Sequence, residues 1–170
     1  MMQEGGELRR GEPSFLYVYK ITPAEHDKAL KEARKVGTVN IAASTKAENY
    51  RRIPKQAELK LTPGAAYVHM TSNNTIEGTQ SKRLPDVGDV PLVSDTSSEM
   101  FSRPIDVARH ALIYAGAQKN MGPAGLTLVI IRDDLVAASA ERKATLPVMM
   151  NYAVQAENTS LYNTPPTFAI

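Results

Sequence analysis

Four short apolar runs constrain this chain most: "AAYVHM" (Ala65 to Met70), "DVPLVSD" (Asp89 to Asp95), "LIYAG" (Leu112 to Gly116) and "LTLVII" (Leu126 to Ile131). Each has the length and β-branched or aromatic content of a strand, and each is bounded by turn-forming residues. They are apolar on both faces, which predicts strands covered on both sides, and they alternate with short helical patterns. That combination implies an α/β fold around a mainly parallel sheet. In such sheets ligands gather at the carboxyl ends of the strands, where Thr75, Asp95 and Lys119 follow three of the runs.

Further signals lie upstream. "MMQEGGELRRGEPSF" is charged and glycine-rich, without a sustained period, and residues 1–21 read as a loosely ordered lead that contains one short strand candidate, "FLYVYKI". "TPAE" offers Thr22 as an N-cap, Pro23 at the first helical position and Glu25 as reciprocal cap. The helix it opens runs to about Val36, with Ala29, Leu30 and Ala33 on one side, and Gly37 stops it. "TVNIAAS" is a further strand. "SRPIDVARHA" (Ser102 to Ala111) predicts another helix with Pro104 in its first turn.

Composition removes several classes of function. In 170 residues the charged fraction is 22% and the formal net charge +2, with no basic block, so neither nucleic acid nor an anionic membrane is an expected partner. There is no cysteine, and His26, His69 and His110 lack metal-ligand spacing, so no metal is expected. No run reaches membrane-spanning length and the polar start lacks a secretion signal's apolar core, which makes the cytoplasm the expected compartment. His69 and His110 read as a strand residue and a helix-end residue, and Met149, Met150 and the tyrosines as packing residues.

The remaining question is Lys119, a lone ammonium in "IYAGAQKNMGPAGLTLVI" among small residues and between two apolar runs. Buried there it would be costly unless solvated, paired or converted to a neutral group. A hydroxyl-rich loop ("TSNNTIEGTQ"), an aspartate closing a strand and a lysine after another strand meet the needs of a pyridoxal phosphate site. The amine condenses with the cofactor aldehyde and later moves a proton, while the carboxylate keeps the pyridine nitrogen protonated. Plainer roles fit each residue equally: Asp95 as a helix cap, Lys119 turned to solvent, Thr75 closing a turn, Gln118 satisfying backbone groups, and Asn163 capping a helix announced by Pro165 and Pro166.

The literal residues go further. "PDVGDVPLVSDTSSEMFSRPIDVARHALIYAGAQKNMGPAGLTLVIIRDDL", with "AAYVHMTSNNTIEGTQ" before it and "AENTSLYNTPPTFAI" at the end, resembles the phosphoserine aminotransferases among the class-V, fold-type I aminotransferases, from about Ala29 to Ile170. The resemblance implies a three-layer α/β/α large domain with a mainly parallel sheet, here truncated, over residues 22–170. It implies pyridoxal 5'-phosphate as cofactor and transamination between O-phospho-L-serine and 2-oxoglutarate, giving 3-phosphooxypyruvate and L-glutamate in L-serine synthesis. Lys119 then matches the Schiff-base lysine and general acid/base, and Asp95 the partner of the pyridine nitrogen. Thr75 matches the contact to the ring hydroxyl, and Gln118 a contact to the cofactor phosphate. Asn163 and Thr164 match residues that reach the phosphate of a neighbouring subunit's cofactor, which implies a homodimer.

The chain also departs from the family. The phosphate-binding glycine loop has no match, the ring-stacking tryptophan position falls at Glu25, and there is no tryptophan in the chain. The smaller C-terminal domain and the substrate-binding arginine are not matched either. A part of a longer aminotransferase with little activity alone is therefore the expectation. A short paralogue completed by a second chain and a non-catalytic, dimer-forming interaction module are the alternatives.

Overall fold

The computed structural model describes residues 15–19 and 24–164. The first fourteen residues, the cap candidates Thr22 and Pro23, and Pro165 with the residues after it lie outside the described residues. Eight strands form: β1 Phe15–Tyr19, β2 Thr38–Ala43, β3 Tyr67–Thr71, β4 Asn73–Asn74, β5 Thr79–Gln80, β6 Leu92–Asp95, β7 Leu112–Gly116 and β8 Thr127–Ile131. Helices α1 (Ala24–Val36), α2 (Asp133–Glu141) and α3 (Tyr152–Glu157) accompany them.

Six strands make one sheet in the order β2-β1-β3-β6-β7-β8, and β4 and β5 form a separate two-stranded ribbon. Every pairing from β2 to β7 is parallel, and β8 alone runs antiparallel to β7. The fold is therefore α/β with a mainly parallel sheet, as the apolar runs require. The first five residues of the expected strand "FLYVYKI" become β1, which sits between β2 and β3 rather than apart from the sheet, and its last two lie outside the described residues. Helix α1 ends where Gly37 was expected to stop it, and the Gly37 amide closes the last turn onto the Ala33 carbonyl at 3.1 Å.

Alternation along the central strands sorts their side chains by face. Val68 and Met70 of β3, Leu92 and Ser94 of β6, and Ile113 and Ala115 of β7 are buried on one face. Two apolar clusters cover it. Ala65, Val68, Met70 and Leu92 pack under Ile53, Leu59, Leu61, Leu84, Val87 and Val90, while Met100, Ile113 and Ala115 pack under Ile105, Met121, Leu128 and Ile130. Removing a side chain the size of Met70 or Ile113 from water contributes about 1.5–3 kcal/mol each. The opposite face presents Tyr67, His69, Val93, Leu112 and Tyr114, and α2 and α3 lie over part of it, with a cavity of about 590 Å³ between.

The helix expected over "SRPIDVARHA" does not form; only a single 3-10 turn, Val107–Arg109, is present. Four features account for this. A helical turn at Thr96–Met100 ends at Phe101, whose φ of 67° is left-handed, and Arg103 precedes a proline, which disfavours helical backbone there. The Asp106 carbonyl, which a helix would offer to the His110 amide, accepts instead from the His110 ring Nδ1 at 2.9 Å. The Ala111 amide is then drawn into the sheet by the Leu92 carbonyl at 2.8 Å. Met149 and Met150, expected to pack, are 59% and 68% exposed, although Met150 lines the cavity. Among the described residues no helix is long and apolar enough to cross a membrane.

Candidate functional site

Register brings the site together. Thr71 of β3 pairs with Asp95 of β6, and Asp95 with Tyr114 of β7, so the carboxyl ends of three adjacent parallel strands finish side by side. Asp95 closes β6 itself, and the chain leaving β3 and β7 carries the other expected residues.

After β3, the β4–β5 ribbon turns through residues 75–78, with Gly78 at a φ of 65°. Asn74 braces this turn, accepting from the Ile76 amide at 3.1 Å and donating to Glu77. Thr75 stands exposed at the tip. After β6, Asp95 begins a turn in which its Oδ1 accepts from the Ser97 amide at 3.0 Å and the Ser97 hydroxyl at 2.6 Å. That same hydroxyl accepts from the Gly116 amide at 2.9 Å, so Ser97 ties the Asp95 carboxylate to the end of β7. Ser98 donates to the Asn73 carbonyl at 2.6 Å and fastens the ribbon to this turn.

After β7, Ala117 and Leu126 close the loop that leads into β8, through an amide-to-carbonyl bond of 3.0 Å. Asn120 donates to the Met100 carbonyl at 2.7 Å and pins the loop to the Thr96–Met100 turn. Lys119 stands in this loop and its Nζ donates to Thr75 Oγ1 at 3.1 Å. The lysine expected between buried strands is exposed at their rim, so its charge is not desolvated. Gln118 is exposed beside it, and its amide folds back over Gly116. A Cβ at Gly116 would stand 2.6 Å from Gln118 Oε1, so the bare glycine makes room for that amide.

Four of the six expected residues, Thr75, Asp95, Gln118 and Lys119, therefore share the strand-end rim. Asn163 and Thr164 are exposed near the end of the described chain, with no described contact to that rim.

Other parts of the site were not anticipated. The Tyr114 hydroxyl lies 2.8 Å from His69 Nε2, and burial holds the phenol well above its ordinary pKa, with the charge of Asp95 and a hydrogen bond to it acting in the same direction. Glu99, 2% exposed, is gripped by Arg103 at 3.0 Å and by Gln80 at 2.6 Å. Burial pushes its carboxyl up, but hydrogen bonds from Arg103, Ser72 and Gln80 outweigh burial and hold it below the ordinary value. The Glu99–Arg103 spacing of four and the D-x-S spacing of Asp95 and Ser97 were visible in the sequence. The Asp95–Tyr114–His69 association was not, because it depends on strand order.

The class-V aminotransferase family model matches residues 19–170 of this chain. The chain belongs to that family. Similar proteins include the phosphoserine aminotransferase of Niallia circulans, 52% identical over 152 residues, which covers 89% of this aminotransferase chain and 41% of that protein. The phosphoserine aminotransferase of Pseudomonas aeruginosa strain LESB58 is 54% identical over 142 residues, covering 84% of this chain and 38% of that protein. Among solved structures, phosphoserine aminotransferase from Bacillus circulans subsp. alkalophilus superposes with a TM-score of 0.82 at 50% identity, covering 95% of this chain and 43% of that one. A pyridoxal-phosphate-bound phosphoserine aminotransferase from Trichomonas vaginalis gives 0.77 at 38%, covering 93% and 44%. This class-V chain thus spans about two-fifths of the length of the relatives it matches, with a fold-type I arrangement of its sheet.

Proposed function

We propose that this chain is the cofactor-binding part of a phosphoserine aminotransferase, which interconverts O-phospho-L-serine and 2-oxoglutarate with 3-phosphooxypyruvate and L-glutamate in cytoplasmic L-serine synthesis. The observation that carries the reading is the Lys119 amine held at 3.1 Å from the Thr75 hydroxyl, on the rim where Asp95 is fixed. Relatives about half identical in sequence bear that activity in their names.

The donor set fits pyridoxal 5'-phosphate. An amine, a hydroxyl, an amide and a carboxylate converge at the ends of adjacent parallel strands, and the bare Gly116 leaves space for the Gln118 amide. When bound, the cofactor supplies an aldehyde that captures amines and a ring that takes up an electron pair. Asp95, its orientation fixed by Ser97, would accept a hydrogen bond from the protonated pyridine nitrogen. Thr75 would engage the ring hydroxyl, and Gln118 would donate to the phosphate. Lys119 would hold the cofactor covalently, and its amine, freed when a substrate amine takes its place, would be the base and then the acid that moves a proton at the substrate carbon. Asn163 and Thr164, both exposed, extend to the phosphate held by a second copy, which makes the working unit a homodimer.

The test is spectroscopic. Pyridoxal phosphate added to the purified chain develops a visible absorbance band that is absent from Lys119→Ala, and sedimentation gives a dimer. Identical spectra in the two proteins overturn the cofactor assignment.

A further inference from the structure

We propose that Tyr114, backed by His69, is a positioning residue for the Asp95 carboxylate, holding it as the charged acceptor that faces the cofactor's pyridinium N–H. This rests on the cofactor reading above and deepens it: Ser97 secures one side of the carboxylate, and the tyrosine secures the other.

The argument begins with register. Asp95 and Tyr114 are paired residues on adjacent strands, so their side chains leave the same face of the sheet. His69 pairs with Val93, two residues before Asp95, and also lies on that face. The His69 and Tyr114 side chains, from β3 and β7, meet above β6, which lies between them. Their rings stand 5.8 Å apart at 32°, with Nε2 and the hydroxyl 2.8 Å apart.

A phenol has one proton to give. With Nε2–H donating to the Tyr114 oxygen, that proton is free to turn toward Asp95, its paired neighbour on β6, whose Oδ1 already accepts from the amide and hydroxyl of Ser97. The half-buried phenol resists ionisation, and the Asp95 charge strengthens that resistance, so Tyr114 stays a donor at neutral pH. The other groups around the pair do not compete for this role. Tyr67 of β3 and Tyr152 of α3 are phenols, and Arg142, just past α2, is the one other charged side chain among the described residues lining the cavity there. A carboxylate fixed by Ser97 on one side and braced by the phenol on the other keeps its aim, which a protonated pyridine nitrogen needs.

Tyr114→Phe keeps the ring and removes only the hydroxyl. Binding of pyridoxal phosphate to the full chain, followed by the Lys119-dependent visible band, is expected to weaken about tenfold, the usual worth of one hydrogen bond to a charged group. The pH midpoint of that band is expected to shift, while Tyr67→Phe, on the same face, leaves affinity and midpoint unchanged. A cofactor-free measurement runs in parallel. In protein carrying ring-13C tyrosine, Asp95→Asn is expected to let the Tyr114 phenol ionise at lower pH. A band of equal affinity and equal midpoint in Tyr114→Phe overturns the positioning role alone, as does a Tyr114 titration indifferent to Asp95→Asn. If the unaltered chain gives no Lys119-dependent band, the cofactor reading itself fails and this role falls with it.

Discussion

Ser97 shows how much of the site depends on one hydroxyl. It donates to Asp95 Oδ1 and accepts from the Gly116 amide, joining the ends of β6 and β7 directly beneath the Lys119 loop. Ser97→Ala leaves a backbone amide without its acceptor and the carboxylate without its shortest donor. The expected loss of stability is about 1–3 kcal/mol, read as a lower denaturant midpoint with an unchanged slope. An unchanged midpoint would show that water replaces the hydroxyl without cost. Glu99 shows the same dependence from below: a buried carboxylate is tolerated because Arg103 and Gln80 satisfy it.

At the scale of elements, short connections do what long helices do elsewhere. The return from β6 to β7 runs through a helical turn, a left-handed Phe101, an extended stretch and one 3-10 turn, and the ring of His110 occupies the carbonyl a helix would have used. Helix α3 has six residues and depends on its cap. Asn151, fully buried, accepts from the Ala153 and Val154 amides at 3.0 and 3.3 Å and is locked to Ser139 of α2 at 2.9 Å. Asn151→Ala is expected to cost on the order of 2 kcal/mol, the upper end for a lost cap, because the Ser139 hydroxyl also loses a partner. Thermal unfolding checks this, and Asn151→Asp, which keeps the accepting oxygen, should recover part of the loss.

At the scale of the whole molecule, two buried groups set the acid response. Burial lowers the His110 pKa from its ordinary 6.5, although the Asp106 carbonyl opposes this, and hydrogen bonding holds Glu99 below its ordinary 4.5. In both cases the unfolded chain takes up protons first on acidification. Stability is fully present above the ordinary values and is lost as pH falls through the lowered ones. The chain should therefore weaken in two stages, below about 6.5 and below about 4.5. His110→Asn, which keeps a donor for Asp106, should flatten the first stage of the denaturation-midpoint profile and leave the second. A first stage that persists in His110→Asn would assign it to another group.

The sequence by itself determined which segments become the six strands of the main sheet, where α1 stops, and which residues stand at or just past the ends of β3, β6 and β7, whereas the β4–β5 ribbon formed in a stretch read as a loop. Those outcomes follow from local periodicity, turn chemistry and literal motifs. Only the tertiary structure decided that the lysine is solvated, that "SRPIDVARHA" forms one 3-10 turn in place of a helix, and that Tyr114 and His69 stand behind Asp95. These depend on strand order and register, which place residues 45 positions apart in hydrogen-bonding distance. No local pattern encodes such pairs, because the free energy that selects them comes from burying whole strands against one another.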